Sequence, residues 1–270
     1  MVKAKPYVGI TGTVNSKEVV DTMSEFISAG YDMHTTHIPM MGFLVSQKTL
    51  SGKPFDNRRY PNINLIPELC QKTDNNALTM IHYNTQDKST LSDQVKQIFR
   101  TMYEDNLCRA IQLNMVWPEV KQVAEIKKFY PDMKIVFQAN ASAMKNKSPA
   151  MFATKVQQYG DSIDYALIDP SGGWGKEFNI DDSVNIFEEL EDKLPHLTIG
   201  FAGGLKGNNV QPIIWELESN LGFNEFCIDA EGALRNKITD KYGDDIYDQE
   251  KAKDYIHESA EVLRPRNHSL

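Results

Sequence analysis

Cysteine is scarce in this chain and thinly spread. There are three, Cys70, Cys108 and Cys227, an odd number at wide spacing. Such a set does not make a disulfide framework and fits reduced thiols. No C-x-x-C pair occurs, which argues against a zinc ribbon. Long apolar runs are also missing, since no stretch approaches the roughly 20 residues that span a bilayer. The opening MVKAKPYVGI has neither the apolar run nor the small-residue cleavage site of a signal peptide. These absences predict a cytoplasmic protein with no membrane partner. A surplus of positive charge is lacking as well. The formal net charge of −8 argues against nonspecific binding to nucleic acid or anionic lipid and leaves room only for a local basic pocket. Low-complexity tracts, charge blocks and linkers are absent, so residues 1–270 read as one domain.

What is present is regular. Apolar runs rich in β-branched or aromatic residues predict eight buried strands, at 7–11, 41–46, 78–83, 110–115, 134–139, 165–169, 197–203 and 226–230. Amphipathic stretches between them predict helices over 16–30, 91–106, 118–130, 210–220 and 248–263. The first carries Val19, Val20, Met23, Phe26 and Ile27 on one face and ends at Gly30 as a C-cap. The third starts with Pro118 at the first helical position. Strands alternating with helices point to the α/β class and to a single-domain (β/α)8 TIM barrel. A polar stretch after the second strand, 47–65, predicts a long loop of the kind that serves as a lid or binding loop.

In such a barrel the chemistry sits at the C-terminal ends of the strands. The third strand ends in His82, Tyr83 and Asn84, the fourth in Gln112 and Asn114, and the fifth in Gln138 and Asn140. The sixth ends in Asp169 and the eighth in Asp229 and Glu231. Period-two alternation points Gln112 the same way as Asn114, and Gln138 the same way as Asn140. Any one of these amides is as readily a solvated strand end as a ligand contact. Together, amides from two neighbouring strands, a His–Tyr pair and three carboxylates suit a ligand rich in hydroxyls and ring nitrogens.

Glycine-rich loops follow the last three strands. They are GGWGK at 172–176 with Gly173, AGGLKGNN at 202–209 with Gly203 and Gly204, and DAEGALR at 229–235 with Gly232 and Ala233. Glycine lets backbone N–H groups approach an anion, and barrels often bind phosphate with the loops after strands seven and eight. Trp174 offers a face that stacks on a base or caps the barrel. Lys48, Lys53, Arg58 and Arg59 make the 47–60 loop basic, either a solvated loop or a cover for an anionic ligand. Asp32, His34 and His37 in YDMHTTH read as a solvated loop at the far end of the barrel rather than a metal site. The residues call for no metal and no cofactor.

The three loops carry a family resemblance. The runs ALIDPSGGWGKEFNI (166–180), IGFAGGLKGNNV (199–210) and CIDAEGALR (227–235) resemble phosphoribosylanthranilate isomerase. In that family the sixth strand ends in an aspartate before a G-G-x-G-K-x-F-[DN] loop, and the seventh carries [SA]-G-G-L-x-x-x-N-V. PYVGITG (6–12) sits where the family begins with K-I-C-G-I-T, and AIQLN (110–114) where it has V-Q-L-H-G. The resemblance implies a (β/α)8 barrel and an Amadori rearrangement of an N-linked aldose phosphate, in which an acid opens the ribose ring and a base moves a proton from C2. It implies that Asp169 is the general acid, and that Gly203, Gly204 and the backbone around Gly232 and Ala233 cradle phosphate.

The departures from the family are specific. Its catalytic cysteine falls on Val8, and valine moves no proton. Its phosphate-binding S-S-G becomes Ala230-Glu231-Gly232, which places a carboxylate where it would repel a phosphate dianion. Its eighth-strand aspartate falls on Ile228 and its glutamate on Leu234, so Asp229 and Arg235 are not carried over.

The resulting expectation is a divergent member of the family, an enzyme acting on a phosphorylated or ribosylated small molecule. Asp169 and either Asp229 or Glu231 form a carboxylate pair, one pKa raised by the other. His82, Gln112, Asn114, Gln138, Asn140, Trp174 and Arg235 are the expected substrate contacts. Such a pair isomerises a sugar or cleaves an N-glycosidic bond. Val8 speaks against the tryptophan-pathway reaction itself. Two readings stay open beside this one, a noncatalytic sugar-phosphate or nucleotide-binding barrel and a true aldose–ketose isomerase with a different base. A homodimer is compatible with the sequence, which leaves the oligomeric state open.

Overall fold

The computed structural model describes residues 3–52, 56–100, 102–170, 180–222 and 225–263. Eight parallel strands follow one another around a closed ring: β1 (Tyr7–Thr11), β2 (Ile38–Ser46), β3 (Leu78–Asn84), β4 (Ala110–Leu113), β5 (Lys134–Asn140), β6 (Tyr165–Asp169), β7 (Thr198–Ala202) and β8 (Cys227–Ala230). Helices cover the outside: α1 (Ser16–Ser28), α2 (Gln47–Leu50), α3 (Ile66–Gln71), α4 (Leu91–Phe99), α5 (Val120–Phe129), α6 (Ala141–Met144), α7 (Pro149–Val156), α8 (Ile180–Lys193), α9 (Gly207–Leu221) and α10 (Gln249–Leu263). An antiparallel hairpin, β9 (Arg235–Lys237) with β10 (Asp245–Tyr247), is inserted between β8 and α10. The chain therefore adopts the (β/α)8 fold that its periodicity predicts. No helix among the described residues is long and apolar enough to cross a membrane.

The strands read as continuous apolar runs because both of their faces are covered. Every residue of β1, β2, β6, β7 and β8 is buried. Alternation sorts them into two cores. Tyr7, Met40, Met80, Ala110, Val136, Tyr165, Leu167 and Cys227 fill the barrel interior. Val8, Ile10, Phe43, Ile81, Phe137, Phe201 and Ile228 pack outward against the helices. The ring closes where β8 pairs with β1, placing Gly9 opposite Asp229.

Several boundaries differ from the sequence reading for local reasons. β2 begins at Ile38, ahead of the expected 41, despite Pro39. The Ile38 amide donates to Pro6 O on the β1 side. The ladder therefore turns the position of the missing Pro39 N–H toward β3, which begins to pair only at Met40. α1 ends in the predicted glycine cap: Gly30 takes φ +89°, and the Tyr31 amide reaches back to Phe26 O. Pro118 is not the first helical residue, since α5 starts at Val120 with Glu119 as its N-cap. α4 stops at Phe99 rather than 106, and Asn106 takes φ +56° where the chain turns toward β4. The stretch 47–65 is mostly the expected loop, with α2 at its start and a single 3₁₀ turn, Ile63–Leu65, at its end. α3, α7 and α8 join the helices that periodicity picked out.

Phe137 anchors one wall of the outer core, its ring within 5.3–6.3 Å of those of Trp117, Phe152 and Tyr159. Phe137→Ala is expected to destabilise the fold by about 3–5 kcal/mol, read from the urea midpoint at unchanged slope.

Candidate active site

Alternation decides what faces the mouth of the barrel. Counting up from the inward Tyr7 and Gly9, β1 ends on Thr11. By the same rule β3, β4, β5, β6 and β8 turn His82, Gln112, Gln138, Asp169 and Asp229 inward. Five of these, with Glu231, Gly203, Gly204 and Gly232, line one small pocket of about 30 Å³ at that end, floored by Leu167 and Ala202. Most of the strand-end residues picked out from the sequence thus share one pocket. Gly203 and Gly204 take φ values of +120° and +68°, so the chain turns sharply there with no Cβ in the way. Asn209 at the start of α9 pins this turn, its Nδ2 donating to Gly204 O at 3.0 Å.

Four expected contacts lie elsewhere. Asn114 stands behind the pocket wall, where its Oδ1 accepts a 2.8 Å hydrogen bond from Gln112 Nε2. That bond leaves Gln112 Oε1 buried with no hydrogen-bond partner. Asn140 caps α6 through its Oδ1, which accepts from the Ala143 amide. Ala233 lies inside the 3₁₀ turn Gly232–Leu234 and does not line the cavity. Arg235 opens β9 and does not line the pocket. Its Nη1 donates to Gly12 O at 2.8 Å, and its Nε is bonded to Asp245. Gly173 and Trp174 lie outside the described residues.

Val8 faces the helices rather than the cavity. Its replacement of a cysteine therefore removes no group from the lumen of this barrel, where Thr11 is the last inward residue of β1. Cys227 does face inward, but at the base. It accepts from the Tyr7 amide at 3.3 Å, and burial pushes its thiol pKa well up. His37 is buried rather than solvated and lies 3.2 Å from Phe226 O through Nε2.

The carboxyl groups respond to their surroundings differently. Burial pushes Asp229 well above the usual carboxylate range; the Glu231 and Asp169 charges add to this, and hydrogen bonds from Thr11 and the Ala230 backbone oppose them without outweighing them. Burial also raises Glu231, against the pull of Arg59. Asp169 is buried and accepts from Gln138 Nε2 at 2.7 Å. Desolvation alone lowers His82 to about 3, so its ring is neutral. Thr11 Oγ1 lies 3.2 Å from Asp229 Oδ1 and 3.3 Å from His82 Nε2. The second contact crosses β2 and exists because residue 42 is glycine. A Cβ there would sit 2.4 Å from Thr11 Oγ1 and 2.7 Å from His82 Nε2.

One residue gains a role that the sequence reading did not give it. Arg59, in the loop after β2, is buried and forks onto Asp245, with Nη2 at 2.6 Å and Nε at 3.0 Å from Oδ2. Its Nη1 donates to Glu231 at 2.8 Å, and the guanidinium lies 4.5 Å from the centre of the Tyr242 ring. Burial works against the Asp245 carboxylate, but Arg59 and Arg235 outweigh it and hold its pKa below the ordinary value. Arg58 pairs likewise with Asp244 at 2.9 Å. The signal was legible as two matched doublets, Arg58-Arg59 in one loop and Asp244-Asp245 in another.

Neither a protein-family model nor a curated protein sequence matches the chain. Solved structures do match. Phosphoribosylanthranilate isomerase from Thermus thermophilus superposes with a TM-score of 0.61 at 12% identity, covering 95% of this chain and 99% of that one. The enzyme of the same name from Thermotoga maritima gives 0.60 at 15% identity, covering 97% and 100%. The fold is that of the phosphoribosylanthranilate isomerases. Tryptophan synthase subunit alpha from Legionella pneumophila shares it too, with a TM-score of 0.58 at 9% identity over 96% and 93% of the two chains.

Two outcomes test these electrostatics. The folded pKa of Asp229 lies above its unfolded value of about 3.9. Above that pH the unfolded chain has released a proton that the folded chain retains, so rising pH favours unfolding until the folded value is reached. Asp229→Asn is therefore expected to raise Tm more at pH 7 than at pH 4, measured by calorimetry. Arg59→Met leaves Asp245 and Glu231 undercompensated and is expected to destabilise by about 3–5 kcal/mol. In urea melts, Arg59→Met combined with Asp245→Asn should lose less than the two single losses added together.

Proposed function

We propose that this barrel is an acid/base enzyme acting on a ribosylated or phosphorylated small molecule. Asp229 is the proton donor and Asp169 the basic partner. The observation that carries the reading is the pair itself. One buried carboxyl has its pKa pushed well up by burial and neighbouring acids, and it opens into the same cavity as a second that accepts a hydrogen bond from Gln138. Environments that set two carboxyls apart are the usual basis for dividing acid from base. This reverses the role that the family resemblance implies for Asp169. A hydrogen bond donated to a carboxylate favours its charged form, which suits a base.

The neutral His82 and the two glutamines supply donors and acceptors for sugar hydroxyls. Gly203, Gly204 and Gly232 line the same cavity, and Arg59 offsets the Glu231 charge beside them. A phosphoribosylanthranilate isomerase of this fold is known in complex with a reduced 1-(o-carboxyphenylamino)-1-deoxyribulose 5-phosphate, at 13% identity and a TM-score of 0.58 over 97% of this chain and 100% of that one. That precedent supports ribose-derived ligands here. In an isomerisation Asp229 donates its proton to the ribose ring oxygen as the ring opens, and Asp169 removes the C2 proton. In N-glycosidic cleavage the ring stays closed, Asp229 instead protonates the departing nitrogen group, and Asp169 faces the cation that develops at C1.

Wild-type protein incubated with ribose 5-phosphate, phosphoribosylamines and nucleosides is expected to convert one of these classes, read by mass spectrometry. Asp169→Asn and Asp229→Asn should each lower the rate by about 10²–10⁴-fold with the fold intact. Turnover that survives both substitutions rejects the assignment. A raised Tm with these compounds and no product from the wild type indicates a noncatalytic binding barrel instead.

A further inference from the structure

The contact between Thr11, Asp229 and His82 contains more than packing. Thr11 has one hydroxyl hydrogen and two neighbours, Asp229 Oδ1 at 3.2 Å and His82 Nε2 at 3.3 Å. A hydroxyl donates once, so the other contact is one in which it accepts. With any Asp229 hydrogen on Oδ1, the oxygen that faces Thr11, two arrangements satisfy both. In the first, protonated Asp229 donates to Thr11 Oγ1, Thr11 donates to a bare Nε2, and the neutral ring carries its hydrogen on Nδ1. In the second, Asp229 is a carboxylate that accepts from Thr11, and Thr11 accepts from an Nε2–H, which leaves Nδ1 bare.

We propose that protonated Asp229 carries its hydrogen on Oδ1 and that Thr11 thereby couples Asp229 to His82, so that the proton state of the buried carboxyl fixes which ring nitrogen of His82 carries hydrogen. Passing from the first arrangement to the second moves the Asp229 hydrogen to Thr11 and the Thr11 hydrogen to Nε2. The Nδ1 hydrogen leaves to water entering the cavity. One proton departs, and the ring is neutral in both arrangements. His82 lines the cavity, so this carries the acidity of Asp229 to a second point in the site. Thr11 and His82 are thus positioning residues for the donor named above, and the inference rests on that reading.

The geometry is specific. Gly42 clears the Thr11–His82 path, and Gly9 clears the Asp229 side, where a Cβ would lie 2.9 Å from Oδ1. The titratable groups around Asp229 are Glu231 and Cys227 from its own segment, Asp169 on β6, Tyr7 on β1 and Tyr255 on α10. Arg59 and Arg235 act on Glu231 behind them. None of these other groups is hydrogen-bonded to Thr11, whose hydroxyl contacts Asp229 and His82.

The test is nuclear magnetic resonance on the full chain with ring-¹⁵N histidine, His82 being assigned by the signal lost in His82→Gln. The Asp229 carboxyl carbon reports its ionisation in the same samples. Protonated Asp229 is expected with hydrogen on Nδ1, and ionised Asp229 with hydrogen on Nε2, at whatever pH each occurs. Thr11→Ser should keep this correspondence and Thr11→Val should abolish it. Crossed pairing in the wild type, or a correspondence that persists in Thr11→Val, overturns the proposal. The readout needs no substrate, so its failure and a failure of turnover are separate results.

Discussion

The hydrogen-bonded seam between the last strand and the first governs this structure. Val8, Gly9 and Ile10 pair with Ile228, Asp229 and Ala230 across almost the whole length of the chain. Without that pairing the sheet has two open edges, and the inward residues of β1 and β8 face water. With it, Asp229 lies against Gly9 and beneath Thr11, and a carboxyl that would be ionised in solvent is enclosed by a ring of tyrosine, cysteine and other acids. The parallel ladder fixes register, and register fixes which side chains enter the lumen. A slip of one residue would send Asp229 into the helix layer and Ile228 into the site.

The chain buries aspartate in two different ways within sixteen positions. Asp229 has the Thr11 hydroxyl and the Ala230 backbone for company, and such hydrogen bonds contribute only about 0.5–1.5 kcal/mol each. That is less than the several kcal/mol needed to desolvate a carboxylate, so the charged form is disfavoured. Asp245 receives forked donation from Arg59 and a further bond from Arg235, and there the ion wins. Glu231 stands between the two regimes, buried enough to be raised yet tied to Arg59. The insertion after β8 and the loop after β2 thus form one unit through a guanidinium, and that unit decides how much negative charge reaches the cavity.

Most of this was legible in the sequence, and the limits are physical. Eight apolar runs at even spacing gave the barrel because parallel strands are covered on both faces. β1 and β6 came out residue for residue, whereas β2 was shortened because proline is a poor sign of a strand. The inward set His82, Gln112, Gln138, Asp169 and Asp229 followed from strand ends plus alternation. Asn140 shares that position in sequence but is drawn off by the cap of the helix that follows it, and Arg235, in the loop after β8, by a buried acid ten residues on, contacts that strand alternation does not reveal. Val8 shows the same limit. An ungapped match to a motif says which residue type was replaced, not which way the side chain points. Thr11 drew no attention because threonine is common in strands. Its role appears only when Gly42 and Asp229 are seen on either side of it.

The split of roles around the ring bears on how the chain is made. Thr11 and Arg59, which bond to Asp229 and Glu231, belong to the first two strands and their loops, while those two acids come from the last strand and the residue just after it. A ribosome delivers the partners first and the acids last. Until β8 emerges and meets β1, the acids remain hydrated and far from Arg59, so one late docking event must desolvate them together. The seam that builds the site is also the step at which a nascent chain commits its carboxyls to the interior.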